Sequence, residues 1–264
     1  MTGGPGPGQR TGPAVAGGGT GTPGPGMGRR EWRILAFGMI AIVLAGAIAV
    51  AVLVATRQRS ATLPRPSGIP AGLPTSLASL MQLSPLPHRL APGFTLTDQG
   101  GRTMALSALR GKVVVLEFMD PHCVDICPIV SQEFVDAYHD LGPLAGKVVF
   151  AAINVNQYHA SVPAMAAYSR EHALTVIPSW HFFTGPLPAL QAAWRDYGIA
   201  VQAPSPNADI IHTSAIYFID PTGRETFLAS PMTDHTRKGT AYLPAGQLAE
   251  WGHGIALIAR QLAG

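Results

Sequence analysis

Residues 113–118, Val113-Val114-Val115-Leu116-Glu117-Phe118, run within five residues into His122-Cys123-Val124-Asp125-Ile126-Cys127-Pro128. The first run is apolar except for Glu117 and reads as a buried strand. The heptapeptide contains both cysteines of the chain and opens the next element. From Pro128 to position 141, apolar residues at Ile129, Val130, Phe134, Ala137, Tyr138 and Leu141 follow helical spacing. Proline suits the first position of a helix, where its missing N–H is not needed. That reading makes Cys127 the expected N-cap, where free amides and the positive end of the helix dipole favour a thiolate.

Working outward, Phe94-Thr95-Leu96-Thr97 and Thr103-Met104-Ala105-Leu106 flank Gly100-Gly101 and read as a hairpin. Residues 148–155 form a second buried strand, 162–174 a helix, 180–183 a short strand and 187–197 a further helix. Residues 215–219 and 225–229 flank Asp220-Pro221-Thr222-Gly223, a strand–turn–strand signal. Residues 245–263 close the chain as a helix. Strands alternating with helices, then a hairpin and a terminal helix, predict a thioredoxin-like α/β domain with a central mixed sheet flanked by helices.

The N-terminal third differs in kind. Residues 1–28 are almost wholly Gly, Pro, Thr and Ala, offer no apolar period and are expected to be disordered. After Arg29-Arg30-Glu31-Trp32-Arg33, residues 34–55 lack any charge. Those 22 residues would rise about 33 Å as a helix, enough to cross a hydrocarbon core. A cleaved signal peptide has a shorter apolar region, so an uncleaved signal anchor over 29–58 is expected. Basic residues on the two sides of the run nearly balance. The short tail is therefore placed in the cytoplasm, and the domain outside, from the asymmetry of the chain. Residues 59–89, with repeated Pro, Ser and Leu, read as a spacer that holds off a domain at 90–264. A short amphipathic piece is expected within that spacer, near residues 76–83.

The chain has 264 residues, 47% hydrophobic and 12% charged, with 30 Gly and 24 Pro. Two cysteines exclude a disulfide-stapled scaffold and a four-cysteine zinc site. Residues 1–88 carry seven basic groups and one acid; from Arg89 onward there are eleven basic and fourteen acidic groups. An acidic domain without a basic stripe argues against nucleic-acid binding. The domain also lacks a Gly-rich phosphate loop.

Thioredoxin-type redox motifs separate their cysteines by two residues; here there are three. That loop can close a disulfide or turn both sulfurs toward one soft ion, Cu(I) or Zn. A third ligand is then wanted, and neutral imidazole is the usual partner. His212, which precedes a predicted strand whose leading loop lies beside the first helix in such a sheet, is one candidate. His122, adjoining Cys123, is the rival, and His235 reads as a solvated loop residue.

Cys123-Val124-Asp125-Ile126-Cys127-Pro128 resembles the C-P-D-V-C-P motif of the Sco/SenC family. His212-Thr213-Ser214-Ala215-Ile216-Tyr217-Phe218-Ile219-Asp220-Pro221-Thr222-Gly223 resembles its H-S-S-A-x-Y-L-I-D-P-D-G stretch. Leu106-Ser107-Ala108-Leu109-Arg110-Gly111-Lys112 and Trp180-His181-Phe182-Phe183-Thr184-Gly185 also fit. The resemblance implies a membrane-anchored, thioredoxin-like, copper-binding protein that assists assembly of the dinuclear copper (CuA) site of cytochrome c oxidase. By position it implies Cys123, Cys127 and His212 as the copper ligands, with Asp125 as the acidic residue of the loop. The partner it implies is the oxidase subunit that carries this site, or another copper or thiol client. Three departures stand out. His122 precedes the first cysteine, Val124 replaces a proline, and Val155-Asn156-Gln157-Tyr158-His159-Ala160-Ser161-Val162-Pro163 lacks the acids and arginine of the family's V-D-P-x-R-D-T-P.

Three functions are then expected to compete. The first is a copper metallochaperone, which transfers metal without turnover. The second is an extracytoplasmic thiol–disulfide oxidoreductase in which Cys123 attacks and Cys127 resolves. The third is an anchored binding domain with a static disulfide. A peroxidase ranks last, because Met119-Asp120-Pro121-His122 supplies neither the Arg nor the Thr that such a site needs.

Overall fold

The computed structural model describes Gly46, residues 68–70 and residues 72–264. The expected disordered tail and the candidate membrane span, Gly46 apart, lie outside the described residues. Among those described, no helix is long and apolar enough to cross a membrane.

A six-stranded sheet organises the domain. Its order is β1 (Ser84–Pro85), β10 (Glu225–Ala229), β9 (Ile216–Ile219), β4 (Val113–Met119), β5 (Val148–Asn154) and β6 (Trp180–Phe183). Strands β4, β5 and β6 are parallel, whereas β9 pairs antiparallel with β4, β10 with β9 and β1 with β10. The mixed sheet is that of a thioredoxin-like α/β fold. Every residue of β4 and β5 is buried, because helices cover both faces, and this accounts for their unbroken apolar runs. Along β4, Val113, Val115 and Met119 enter one core, while Val114, Leu116 and Phe118 enter the other, following the period of two of a strand.

The helices are α1 (Thr75–Leu80), α2 (Ile126–Leu141), α3 (Val162–Glu171), α4 (Leu187–Asp196) and α5 (Ala245–Ala263). Ser161 caps α3, its side chain accepting from the Ala164 amide at 3.3 Å. This helix stops short of the expected residue 174. Ala173 sits at φ +56°, which breaks the α-helical ladder, and a 3-10 turn follows. The first core joins the sheet to α1, α2 and α5. At Gly252 of α5 an added Cβ would lie 2.6 Å from the Asp136 Cβ, so glycine lets α5 approach α2 this closely.

The segment read from its prolines as a spacer belongs to the domain from Gly68 onward. Ile69, Leu73, Leu77, Met81 and Leu83 are buried in the first core. β1 adds the edge strand, with Ser84 opposite Leu228 and Pro85 opposite Phe227. Proline is tolerated there because an edge strand has one unpaired side. The short amphipathic piece expected near 76–83 is α1, at 75–80. The hairpin expected at 94–106 is present as β2 (Thr95–Thr97) and β3 (Thr103–Ala105). Two further small ribbons matter for the site: β7 (Val201–Gln202) with β8 (Ile211–His212), and β11 (Asp234–His235) with β12 (Ala241–Tyr242).

Candidate functional site

Strand β4 delivers the chain to the carboxyl end of the sheet, and the loop 120–125 turns it into α2. Asp120 fastens that loop. Its Oδ1 accepts from the His122 amide at 2.8 Å and from Asn156 Nδ2 at 2.9 Å, and its carbonyl accepts from the Cys123 amide. Asn156 is held in turn by Asn154, which accepts its amide at 2.8 Å and donates to its carbonyl at 2.9 Å. The departure from the family pattern at Asn156 thus supplies a donor to the buried Asp120 carboxylate, which an aspartate could not do in its ionised form.

Helix α2 starts at Ile126 with Asp125 as N-cap, two residues earlier than the proline suggested. Cys127 therefore lies within the first turn instead of capping it. Pro128 is accommodated because the first four amides of a helix have no intrahelical partner. Both cysteines are free thiols. Cys127 is buried in the first core, and Cys123 is partly exposed. The Cys127 thiol donates to the Cys123 sulfur, which lowers the Cys123 pKa to about 7 against its own burial. The Asp125 amide adds a contact to Cys123 Sγ at 3.4 Å. The same shared proton, together with burial and the neighbouring sulfur charge, pushes Cys127 well above the ordinary thiol value. The thiolate that helix-end reasoning assigned to Cys127 thus belongs to Cys123, because Cys127 is the donor and lies out of water.

His212 ends β8, opposite Val201. It lines the same cavity of about 500 Å³ as Cys123, His122, Asp125 and Ile211. Its Nδ1–H donates to the Thr213 carbonyl at 3.0 Å, leaving Nε2 as the free lone pair. Burial holds its pKa below the usual imidazole value, so the ring is neutral near pH 7. The structure brings the two sulfurs together and sets His212 on the wall of the same cavity. Among the described residues no three His, Cys, Asp or Glu side chains are grouped closely enough to hold an ion.

The other candidates have definite places. His122 stacks on His159, with ring centroids 3.5 Å apart and planes 20° apart. Both positions depart from the family pattern, and folding brings them together. Asp125 and His235, the residue read as a solvated loop histidine, are bonded to each other, so that β11 leans on the loop between the cysteines. Val124, at the tip of that loop, is 89% exposed.

Glu117, the one charge in the strand run, also belongs to the surroundings of the site. Its Oε1 accepts from Ser214 Oγ at 3.0 Å and from the Ala215 amide at 3.3 Å. It thereby ties the strand that leads to the cysteines to the loop that follows His212. Its Oε2 is buried without a partner, and burial raises its pKa to about 8.

A thioredoxin-like domain with a CxxxC pair at the mouth of its central strand, and a neutral histidine on the same cavity, defines a class of dithiol proteins suited to soft metals or thiol exchange. Residues 84–240 match the SCO1/SenC family model, and the chain belongs to that family. It is 24% identical over 142 residues to the SCO1 protein homolog of Bacillus subtilis (strain 168), covering 53% of this chain and 72% of that protein. It is 30% identical over 139 residues to the mitochondrial SCO2 homolog of Mus musculus, covering 49% of this chain and 52% of that protein. The chain thus spans about half the length of the mouse relative. Among solved structures, an SCO1/SenC family lipoprotein from Bacillus anthracis str. Ames superposes with a TM-score of 0.55 at 22% identity, over 69% of this chain and 98% of that one. Bradyrhizobium japonicum ScoI with copper bound gives 0.51 at 23%, over 66% and 99%. These two likenesses establish the shared fold.

Proposed function

We propose that this protein is a copper carrier, in which Cys123, Cys127 and His212 hold one copper ion as cargo and release it to a client. The observation that carries this reading is the pairing of a low-pKa thiol with a neutral imidazole, its Nε2 free, on one cavity. Two sulfurs and an imidazole are a donor set that prefers a soft ion. A solved relative with copper bound, the Bradyrhizobium japonicum ScoI, adds support. Binding entails a movement of the His212 ring or of the cysteine loop that closes the ligand set. Asp125 positions that loop through His235. The family resemblance directs the cargo to the dinuclear copper site of cytochrome c oxidase. Residues 34–55 would anchor the chain in the cell membrane, with the tail cytoplasmic and the domain extracytoplasmic.

Copper analysis of the full chain in neutral detergent, reduced, tests the assignment. One copper per chain is expected for the wild type, and strong loss in each of Cys123→Ala, Cys127→Ala and His212→Ala. Full retention in His212→Ala would overturn the ligand set.

A second reading, thiol–disulfide exchange, is favoured by the asymmetry of the pair. Cys123 is exposed enough and acidic enough to attack, while Cys127 is buried and protonated, as a resolving thiol is. The readings separate on His212: its removal should abolish copper retention and leave exchange intact.

A further inference from the structure

At the opposite end of the sheet from the cysteines lies a second cavity, of about 440 Å³. It opens where β4, β5 and β6 begin. Four of its walls are basic: Arg102, Arg110, Lys112 and His181. No carboxylate lines it. Asp98, only 1% exposed, is bonded to two of these basic residues and is already engaged. Asp98 accepts from Arg102 Nη2 at 3.0 Å and Nε at 3.1 Å, and from His181 Nδ1 at 3.2 Å. Arg110 and Lys112 have no ion pair and no side-chain hydrogen bond among the described residues. The Arg110 side chain lies along the turn at Gly223, and neither it nor Lys112 is bonded to a carboxylate among the described residues, although the domain as a whole is acidic. Burial lowers the His181 pKa, and the Arg102 and Lys112 charges lower it further, against the pull of Asp98.

The rest of the lining is apolar: Met104, Leu109, Val149, Pro178 and the Tyr138 ring. The Tyr138 hydroxyl, a donor, has no hydrogen bond among the described residues. Pockets that combine an apolar wall with a few convergent donors are built for amphiphilic ligands. Two cations on one cavity favour a multiply charged oxyanion over a singly charged carboxylate, and a guanidinium fork matches phosphate geometry.

We propose that this cavity is a binding site for a phosphate ester with an apolar body, its phosphate against Arg110 and Lys112 and its apolar part against Met104, Leu109 and Pro178. The chemistry is shared by phospholipid headgroups and by soluble phosphate esters. The site is separate from the cysteine cavity and does not depend on the copper reading.

Isothermal titration of the full chain in neutral detergent at low salt tests it, with inorganic phosphate, phenyl phosphate and a short-chain phosphatidic acid as probes. Saturable one-site binding is expected, at least tenfold tighter for phenyl phosphate than for inorganic phosphate, and weakened by added salt. Stronger binding of the phosphatidic acid than of phenyl phosphate identifies a lipid source, and the reverse order a soluble ester. Arg110→Gln/Lys112→Gln should weaken binding at least tenfold. Ala108→Glu, which sets an acid into the exposed wall without removing a cation, should do the same and decides the matter if the double variant melts early. Absence of saturable binding by any probe, or unchanged affinity in a folded Ala108→Glu variant, would overturn the proposal.

Discussion

His235 Nε2 lies 3.0 and 3.1 Å from the two carboxylate oxygens of Asp125, joining the β11–β12 ribbon to the loop between the cysteines. Both side chains are about half exposed, so the contact is expected to contribute no more than about 1 kcal/mol. His235→Ala should therefore speed alkylation of Cys123 by up to about fivefold, the factor that this energy allows. Iodoacetamide kinetics at fixed pH check this. An unchanged rate would show that the ribbon does not restrain the loop.

The Cys123 thiolate depends on its neighbour. Alkylation of Cys123 against pH should show a midpoint near 7 in the wild type. The hydrogen bond from Cys127 is the largest cause of that low value. Cys127→Ala should shift the midpoint up, toward about 8.5, the value of a free thiol. A midpoint that stayed near 7 would assign the effect to the backbone amides instead.

Glu117 should make stability fall with pH. Its folded pKa, about 8, exceeds the ordinary carboxyl value of 4.5. Over that window the native state holds a proton that the unfolded chain has lost. The contribution is complete below 4.5 and is lost as pH rises through 8. The expected slope is about 1.4 kcal/mol per pH unit. Glu117→Gln keeps an oxygen for Ser214 and Ala215 and removes the titration. Between pH 5 and 8, urea midpoints should fall more in the wild type than in this variant; parallel falls would place the titrating group elsewhere.

Gly252→Ala should destabilise by about 1–3 kcal/mol, the usual cost of overpacking. The added methyl meets the Asp136 Cβ at 2.6 Å and the Ala137 amide nitrogen at 3.3 Å, atoms that cannot swing aside. Thermal unfolding measures it, and a neutral result would show that α5 can slide on α2.

The architecture was legible because β4, β5 and β6 are buried runs and the helices between them keep a 3.6 period. The expected bounds 180–183, 225–229 and 245–263 coincide with β6, β10 and α5. The start of α2 is not legible from Pro128, which occupies the third helical position, where a proline costs no hydrogen bond either. The short helix near 76–83 was legible, but the prolines of 64–87 hid that Leu73, Leu77 and Met81 are buried in the domain's core. At the site, the cysteine pair was plain from spacing. Its polarity was not, because that depends on which sulfur the core covers. The pairs Asp120–Asn156 and Asp125–His235 join residues 36 and 110 positions apart, and only the folded topology sets them together.

Strand β1 has a mechanical meaning. Ser84 and Pro85 are hydrogen-bonded into the sheet next to β10, and β10 adjoins β9, the strand into which the His212 loop runs. A displacement of α1 and β1 is therefore carried into the rest of the domain. Through β1 and β10 it reaches β9, on the histidine side of the cavity, and through α1 and α5 it reaches α2, which carries Cys127. The two sides of the cavity thus rest on one mechanical base, the segment that opens the domain.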